Sequence, residues 1–356
     1  MDARFGTLAL LSIVAVGSLA GCGDDGSADG STDGSTTGTT MTTGEPTTAP
    51  ATTVDPDTGD TGVEGTDTEG TTAGATGTDS TGADSTGEPV DLDVELQFAV
   101  RVGDQDAACG QAYAAVGAGA TTIEFLDIRL FVSNVRLVDD AGGEVPLTMP
   151  DDGEWQLEGS ALLDFEDGSG GCSENTTAET NTTVRGTVPD GVYTGVRFDV
   201  GLPFEQNHLN ADEAAPPLNT TAMFWSWAAG YKFAKIDVQN DNPAPGNRWN
   251  IHLGSQACDN GDGGPTMPPA AECARPGRPA IALDGFDPLA GTIVLDVAEM
   301  LANEDVSADT PMTAPGCMSF MPDVNECDEL FPSLGLDWMT GDCAEDCSGQ
   351  TAFHAE

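Results

Sequence analysis

From residue 91 onwards, apolar and polar residues alternate in short runs, which is the pattern of β-strands with one buried face. The first run is the clearest, because every second residue from 92 to 102 is apolar and most residues between them are polar. A second run from 128 to 137 changes phase at Ser133-Asn134. This change predicts a β-bulge within one long strand.

Turns rich in Gly, Asp and Pro separate further runs of the same kind. Pro189-Asp190-Gly191 is an example, because proline fixes one backbone angle, aspartate supplies a side-chain acceptor and glycine tolerates a positive φ. Strands are predicted near 145–147, 192–200, 233–237, 249–253 and 292–297, with short helices at 298–303 and 327–331. The sequence therefore predicts an all-β fold, an antiparallel β-sandwich with long loops and a disulfide-rich C-terminal part.

The first 22 residues have the features of a bacterial lipoprotein signal. Arg4 supplies the positive charge, and the apolar stretch at 5–16 is too short to span a bilayer. The sequence LAGC at 19–22 then matches a lipobox. We expect residues 1–21 to be removed and Cys22 to carry the lipid that anchors an extracytoplasmic protein, facing the periplasm or the cell surface. An ordinary secretion signal with an incidental cysteine is the alternative.

Residues 23 to about 90 have the composition of a disordered tether. They contain no aromatic residue and no Lys, Arg or His, so little apolar surface offsets the entropy lost on folding. Gly and Ser make such a segment flexible, and its acidic charges extend it. We expect the lipidated cysteine and this tether, 22–90, to precede one folded domain at 91–356. A specific acidic ligand for calcium or for a protein partner is the alternative for the tether.

The charge balance of the 356-residue chain is strongly acidic, with 60 Asp and Glu, 11 Lys and Arg and a net charge of −49. The few basic residues are scattered, which argues against the clustered positive surface that nucleic acids require. The same balance argues against direct contact with anionic lipid headgroups. A positively charged protein partner is compatible with it.

Eight of the nine cysteines remain once Cys22 is set aside, and an even number in an exported domain predicts disulfides. Proximity in the sequence favours the pairs Cys258–Cys273 and Cys317–Cys327, while the rest of the connectivity stays open. A thiolate metal cluster is the competing interpretation. It is disfavoured because the chain has no C-x-x-C spacing and because an oxidising compartment removes thiols.

The densest aromatic cluster lies at 223–233, where Trp225 and Trp227 are two positions apart and would share one face of a strand. The chain has only three histidines, and His208 and His252 flank this cluster on either side. Scarce imidazoles around an aromatic cluster suggest a metal site. A nucleophile elbow, a zinc-protease helix and a phosphate-binding glycine loop are all missing from the sequence, so no catalytic residue is predicted.

Nine short blocks, taken together and in this order, are more specific than any one of them. They are FVSNVRL at 131–137, ALLDF at 161–165, GLPF at 201–204, NH at 207–208, PLN at 217–219, MFWSW at 223–227, GYKF at 230–233, HLGS at 252–255 and GCMS at 316–319. With these blocks the chain resembles the MbnP family of copper-binding proteins, also called metallo-mystery pair four-Cys motif proteins. The resemblance covers essentially all of residues 91–356.

The resemblance implies a protein that is not an enzyme and that binds copper, as Cu(I), after a partner has modified it. Family members act with MbnH, a MauG-like di-haem oxidase, which converts the first tryptophan of the W-x-W motif to kynurenine. That residue is Trp225 here. His208 and His252 would be the imidazole ligands, and Met223 or Met318 would be candidates for a thioether ligand.

Further expectations concern the neighbours of the motif. Trp227 and Tyr231 are candidates for an electron relay to the oxidase, with core packing as the alternative. Ala228 and Ala229 stand where the family pattern leads us to expect a glutamine, and His354 is expected to be a solvated residue of the tail. The competing functions are a surface adhesion or carbohydrate- or calcium-binding β-sandwich lipoprotein and, more weakly, a hydrolase that uses carboxylate pairs.

Overall fold

The computed structural model describes residues 90–173, 177–226, 228–243, 246–321 and 324–356. All of them belong to one compact unit, Thr81–Glu356. The predictions for the signal peptide, for Cys22, for the tether up to residue 89 and for Trp227 lie outside the described residues.

Strands dominate the described residues, as the alternation of apolar and polar positions predicts. In chain order the first are β1 (Asp91–Val102), β2 (Gln105–Asp106), β3 (Ala112–Val116), β4 (Thr121–Asp139), β5 (Glu144–Pro146), β6 (Gln156–Leu157), β7 (Ser160–Asp164), β8 (Thr183–Pro189) and β9 (Tyr193–Val200). The others are β10 (Phe224–Ser226), β11 (Gly230–Tyr231), β12 (Ala234–Asn240), β13 (Arg248–Leu253), β14 (Ala280–Asp284), β15 (Thr292–Asp296), β16 (Gly316–Cys317) and β17 (Phe353–Ala355). Short helices connect them, namely α1 (Phe204–Asn207), α2 (Val297–Met300), α3 (Val324–Cys327) and α4 (Leu330–Ser333).

The larger sheet is built around β4, whose 19 residues make it long enough to pair with several strands. Its order is β14-β9-β4-β12-β13-β16, and β3, β5 and β7 also pair with β4. β6 joins the same sheet as the partner of β7. The pairs are antiparallel except for β13 and β16, which run parallel.

The second sheet has the order β17-β15-β1-β2, and β8 also pairs with β1. β1 and β15 run parallel, whereas the other pairs are antiparallel. Parallel neighbours need a long connection, and most of the domain lies between these two strands. The predicted fold class, with its mainly antiparallel strands and long loops, is confirmed, and the two parallel pairs are the departure from it.

Aromatic side chains join the two sheets in a common core. Phe98 of β1 packs edge-on against Phe198 of β9, with ring centroids 5.6 Å apart. Phe198 also contacts Phe353 of β17, at 5.7 Å. All three side chains are buried, and the alternate residues of β1 that face away from the core are more exposed. The core therefore lies between the sheets, as in the predicted sandwich.

The predicted bulge in β4 is present. Asn134 has a φ of +52°, a left-handed conformation that asparagine tolerates better than most residues. The pairing of β4 with β9 shifts its register between Ser133 and Arg136 at this point. The bulge lets one strand keep apolar residues towards the core on both sides of the phase change.

The predicted helices are shorter than expected, for local reasons. α2 begins at Val297 because the Asp296 side chain accepts hydrogen bonds from the first backbone N–H groups, and it ends at Met300. The helix predicted at 327–331 is wrong in its bounds, because α3 ends at Cys327 and α4 begins at Leu330. Pro332 has no N–H to donate to a preceding turn, so it fits only the first turn of a new helix.

Four disulfides pair all eight of the described cysteines. They join Cys109 to Cys172, Cys258 to Cys273, Cys317 to Cys327 and Cys343 to Cys347. The second and third are the two pairs that sequence proximity favours. Such bonds persist in oxidising compartments, which indicates a protein outside the cytoplasm. Among the described residues, none of the helices has the length and apolar character of a membrane span.

Candidate metal centre

The W-x-W segment lies on a small hairpin that β10 and β11 form. Phe224 pairs with Tyr231, and the turn between the strands is closed by a hydrogen bond of 3.1 Å from the Ala229 N–H to Ser226 Oγ. Tyr231 anchors the hairpin, because its ring is fully buried and packs 5.8 Å from Phe131. This packing matches the structural alternative for Tyr231, and its role as a relay stays a prediction.

Trp225 is the half-buried centre of a cluster of side chains from four segments. Its ring lies 6.3 Å from the His252 ring and 5.5 Å from the Phe320 ring, measured between centroids. The ammonium of Lys232 lies 5.9 Å from the indole centroid. Gly254 leaves room for the indole, since a Cβ at that position would lie 2.5 Å from Cζ3. Nε1 of Trp225 is buried and has no hydrogen-bond partner among the described residues.

His252 is held in one orientation by Asp237 of the neighbouring strand. Its Nε2 lies 2.7 Å from Asp237 Oδ1, whereas its Nδ1 is buried without a partner in the described part of the chain. Burial lowers the pKa of His252 and outweighs the opposite effect of Asp237, so the ring is neutral. Because Nε2 donates its proton to a carboxylate, Nδ1 is left with the lone pair.

Asp237 is in turn fixed by a buried network of charges across β4, β12 and β13. Its second oxygen lies 2.9 Å from Lys235 Nζ, which also pairs with Asp127. Asp127 accepts from Arg129 Nε at 2.7 Å. Burial favours the neutral acid, but the His252 hydrogen bond and the Lys235 charge prevail and lower the pKa of Asp237 to about 2. Asp237 therefore stays a carboxylate that can orient the imidazole.

Lys232 places a buried amine beside the indole. Its Nζ donates a hydrogen bond of 2.7 Å to the carbonyl of Ala222, and the side chain is 8% exposed. Burial and the nearby Lys235 lower the pKa of Lys232 to about 8. A cation held over an aromatic ring stabilises the ring position by electrostatic attraction.

His208 approaches the same hairpin from another side. It follows α1, and its Nε2 lies 3.2 Å from Asn207 Nδ2 and 3.6 Å from the sulfur of Cys273. The Oδ1 of Asn207 accepts the backbone N–H of Tyr231 at 2.8 Å. The structure therefore places His252 directly against Trp225, and it connects His208 to the hairpin through Asn207.

Two groups of three His, Cys, Asp or Glu donors lie within 4.8 Å of one another in the described ranges. One contains His208 with Cys258 and Cys273, and another contains Glu166 with Cys109 and Cys172. Both contain disulfide-bonded cysteines, whose sulfurs are not thiolates and are therefore poor metal ligands. Neither group has the chemistry of a metal site.

The two candidate methionines differ in their surroundings. Met223 precedes β10 directly and is fully buried in the hydrophobic core. Met318 lies between Cys317 of β16 and Ser319, whose hydroxyl donates a hydrogen bond of 2.9 Å to the His252 carbonyl. His354 belongs to β17 and pairs with Val294, so this part of the tail is a strand, while its side chain is 43% exposed, as expected for a solvated residue.

Sequence reasoning missed several residues of the site. Lys232 and Gly254 stand in blocks that carry the family resemblance, but nothing in the sequence pattern indicates that either residue contacts Trp225. Asp237 belongs to a predicted strand, and only the pairing of β12 with β13 brings it to His252. Phe320 follows the block at 316–319 directly, and its contact with Trp225 joins segments 95 positions apart by sequence numbering.

Fold and site together define an all-β, disulfide-stabilised domain with a buried imidazole and a half-buried indole at a candidate metal centre. The MbnP family model matches residues 91–319. The structure is similar to that of MbnP from Methylosinus trichosporium, with a TM-score of 0.64 and 30% sequence identity over 75% of this chain and 98% of that chain. A comparison with curated proteins found no match. The chain belongs to the MbnP family, and this membership connects it with copper handling.

Proposed function

We propose that this protein is a membrane-anchored, extracytoplasmic copper-binding protein that has no enzymatic activity of its own. Acylated Cys22 and the acidic tether hold the domain away from the membrane. A di-haem oxidase of the MbnH type completes the copper site by converting Trp225 to kynurenine. Family membership and the geometry around Trp225 support this proposal.

The observation that carries the proposal is the contact between Trp225 and His252. Each ring has a buried nitrogen without a hydrogen-bond partner among the described residues. Buried polar atoms are rarely left unpaired, because the missing hydrogen bond costs about 1–3 kcal/mol. A histidine that donates one ring N–H to a carboxylate and leaves the other nitrogen unprotonated has the arrangement of a metal ligand.

Oxidation would give the side chain of Trp225 the lone pairs that a metal ligand needs. Indole presents an N–H donor and no usable lone pair. Removal of four electrons from the ring, with two oxygen atoms taken from water, oxidises both carbons of the indole C2–C3 bond and cleaves it, and a third water then releases the formyl group as formate. The product has an aryl amine and a ketone, and the oxidising equivalents come from the di-haem partner.

The residues present fit copper better than a hard cation. His252 Nδ1 and the aryl amine of kynurenine are nitrogen donors, which suit copper. In this proposal the copper is bound as Cu(I). His208 is the second imidazole of the proposal, since Asn207 already joins it to the hairpin. Met318 is the better placed thioether, because Met223 is enclosed in the core.

The oxidase would approach Trp225 from the side of Phe320. This ring is 36% exposed and contacts the indole, so it connects the target residue to the surface. Tyr231 is fully buried and lies deeper in the core. Phe320 is therefore the exposed aromatic contact through which a docked partner would reach Trp225, and Trp227 stays a candidate relay.

The test is to produce the chain with and without the oxidase and to measure peptide masses and copper per chain. We expect a gain of about 4 Da on the peptide that contains residue 225, together with bound copper. Trp225→Phe should abolish both, whereas Trp155→Phe, which changes another half-buried tryptophan, should keep both. His252→Ala should keep the mass gain and lose the copper.

Two results would overturn the proposal. One is tight copper binding by Trp225→Phe, and the other is native protein that is fully metallated while residue 225 is chemically unchanged. Glycan binding that persists after chelation and in His252→Ala, while the protein retains no copper, would support the adhesion function instead.

A further inference from the structure

An acidic cavity of about 310 Å³ lies beside α3, and neither Trp225 nor His252 belongs to its lining. Carboxylate and amide side chains dominate its lining, and none of the lining residues is basic. The polar members are Glu304, Asp305, Asp309, Thr310, Asn325 and Glu326. The cavity therefore offers oxygen ligands without a countercharge.

Two of these carboxylates are buried, and each has one oxygen that accepts no hydrogen bond from the described residues. Glu304 is 4% exposed and Glu326 is 5% exposed. Oε1 of Glu304 and Oε2 of Glu326 are buried without a hydrogen-bond partner in the described part of the chain. Burying a carboxylate oxygen without a partner is expensive, so each oxygen requires either a proton or a cation.

The frame around the cavity is fixed independently of any ligand. The other oxygen of Glu326 accepts the Thr310 N–H at 2.6 Å, and Asp309 Oδ1 accepts the Gly316 N–H at 3.0 Å. The Cys317–Cys327 disulfide lies next to both segments. The Glu304 carbonyl accepts the Ala118 N–H at 2.7 Å. The carboxylates are thus held on segments that are fastened to each other and to the core.

Electrostatics shows that this arrangement lacks a positive charge. Burial, with the charges of Asp328, Glu329 and Glu326, raises the pKa of Glu304 to about 8. Burial also raises the pKa of Asp309. Like charges in one low-dielectric cavity disfavour ionisation unless a cation compensates them.

We infer that this cavity binds a calcium ion through Glu304 and Glu326, with Asp309 at its rim. Calcium takes six to eight oxygen ligands in flexible geometry, whereas magnesium requires a stricter octahedron. These carboxylates do not form a group with three donors within 4.8 Å, so water and backbone carbonyls complete the coordination. The lining offers copper neither imidazole nor sulfur, so this site is independent of the proposed copper function.

The experiment titrates calcium chloride into the chelator-treated full chain at pH 7.5 in about 0.15 M salt, which screens weak binding by the acidic tether. Calorimetry gives the stoichiometry, and thermal unfolding gives the stabilisation that binding to the folded state produces. We expect one calcium per chain above the tether background, with a higher Tm.

Glu304→Gln and Glu326→Gln should each weaken this binding about 10-fold or more, because calcium affinity follows the number of charged ligands. Glu299→Gln, an exposed change on the neighbouring α2, is the matched control and should bind as the parent does. Circular dichroism verifies that each variant folds, and Glu326→Gln keeps an oxygen for the Thr310 N–H. If one variant unfolds, the other decides the question.

Three results would overturn the inference. They are no binding above the tether background, binding that neither Gln variant weakens, and a Tm that both Gln variants raise to the same degree with and without calcium. The last would show that a proton satisfies the buried carboxylates. Copper per chain, measured in the same variants, should not change, so failure here is distinguishable from failure of the proposed copper function.

Discussion

Single residues around Trp225 leave two buried ring nitrogens, Trp225 Nε1 and His252 Nδ1, without a hydrogen-bond partner among the residues that the structure describes. The charge of Asp237 keeps His252 in one tautomer, and the Lys235 and Asp127 pair keeps Asp237 from turning. The rest of the site is shape rather than charge. Gly254 provides the space in which the indole ring lies. The site therefore depends on an absent side chain as much as on the present ones.

Gly254→Ala should damage the site without changing any proposed ligand. The new Cβ would lie 2.5 Å from Trp225 Cζ3 and 2.9 Å from the Tyr231 carbonyl, so the indole or the hairpin has to move. We expect less kynurenine and less copper per chain after co-production with the oxidase. Gly349→Ala is the control, because its Cβ would meet nothing within 4 Å. Equal kynurenine and copper in both variants would contradict this role of Gly254.

At the scale of elements, disulfides and one long strand hold the site-bearing loops in place. β4 pairs along its length with β3, β5, β7, β9 and β12. Cys109–Cys172 closes a loop with a sequence separation of 63, whereas Cys343–Cys347 closes one of only 4. Closing a longer loop removes more conformational entropy from the unfolded chain.

The two outer disulfides should therefore differ in their contribution to stability. Replacing Cys109 and Cys172 by Ser should lower the free energy of unfolding by about 4 kcal/mol, and replacing Cys343 and Cys347 by about 2 kcal/mol. Urea denaturation of the two double variants, with the slopes compared as well as the midpoints, measures this. An equal loss in both would refute the loop-length explanation.

At the scale of the whole molecule, the burial of an acidic side chain makes the free energy of unfolding depend on pH. Asp164 at the end of β7 is 2% exposed, and burial raises its pKa to about 7 despite the opposing charge of Arg129. Its ordinary value is 3.8, so the folded state holds this proton more tightly than the unfolded state. This contribution to stability is present below pH 3.8 and is lost as the pH rises towards 7.

Asp164→Asn should remove that loss, because an amide does not ionise and its oxygen can still accept the Glu166 N–H. The free energy of unfolding of the variant, relative to that of the parent, should increase between pH 4 and 7. Urea denaturation at several pH values measures the difference, with exposed Asp93→Asn as the control. Parallel curves for Asp164→Asn and the parent would show that the buried acid does not titrate there.

The local pattern was sufficient for the strands, the bulge and the class of the fold. Alternation from 92 to 102 predicted β1, and the phase change at Ser133-Asn134 predicted the bulge of β4. Both depend on neighbours within a few positions, which decide which face of a strand is apolar. The bounds of α3 and α4 were missed, although Pro332 carries the local signal for the break.

By itself the sequence determined the β-rich class, two of the disulfide pairs and the family resemblance that drew attention to Trp225 and His252. Only the tertiary structure decided that Asp237 orients His252 and that Phe320 covers Trp225. It also decided that the carboxylates of Glu304 and Glu326 share a cavity. The physical reason is that these contacts join segments far apart in the chain through strand pairing and packing, which the local sequence pattern does not specify.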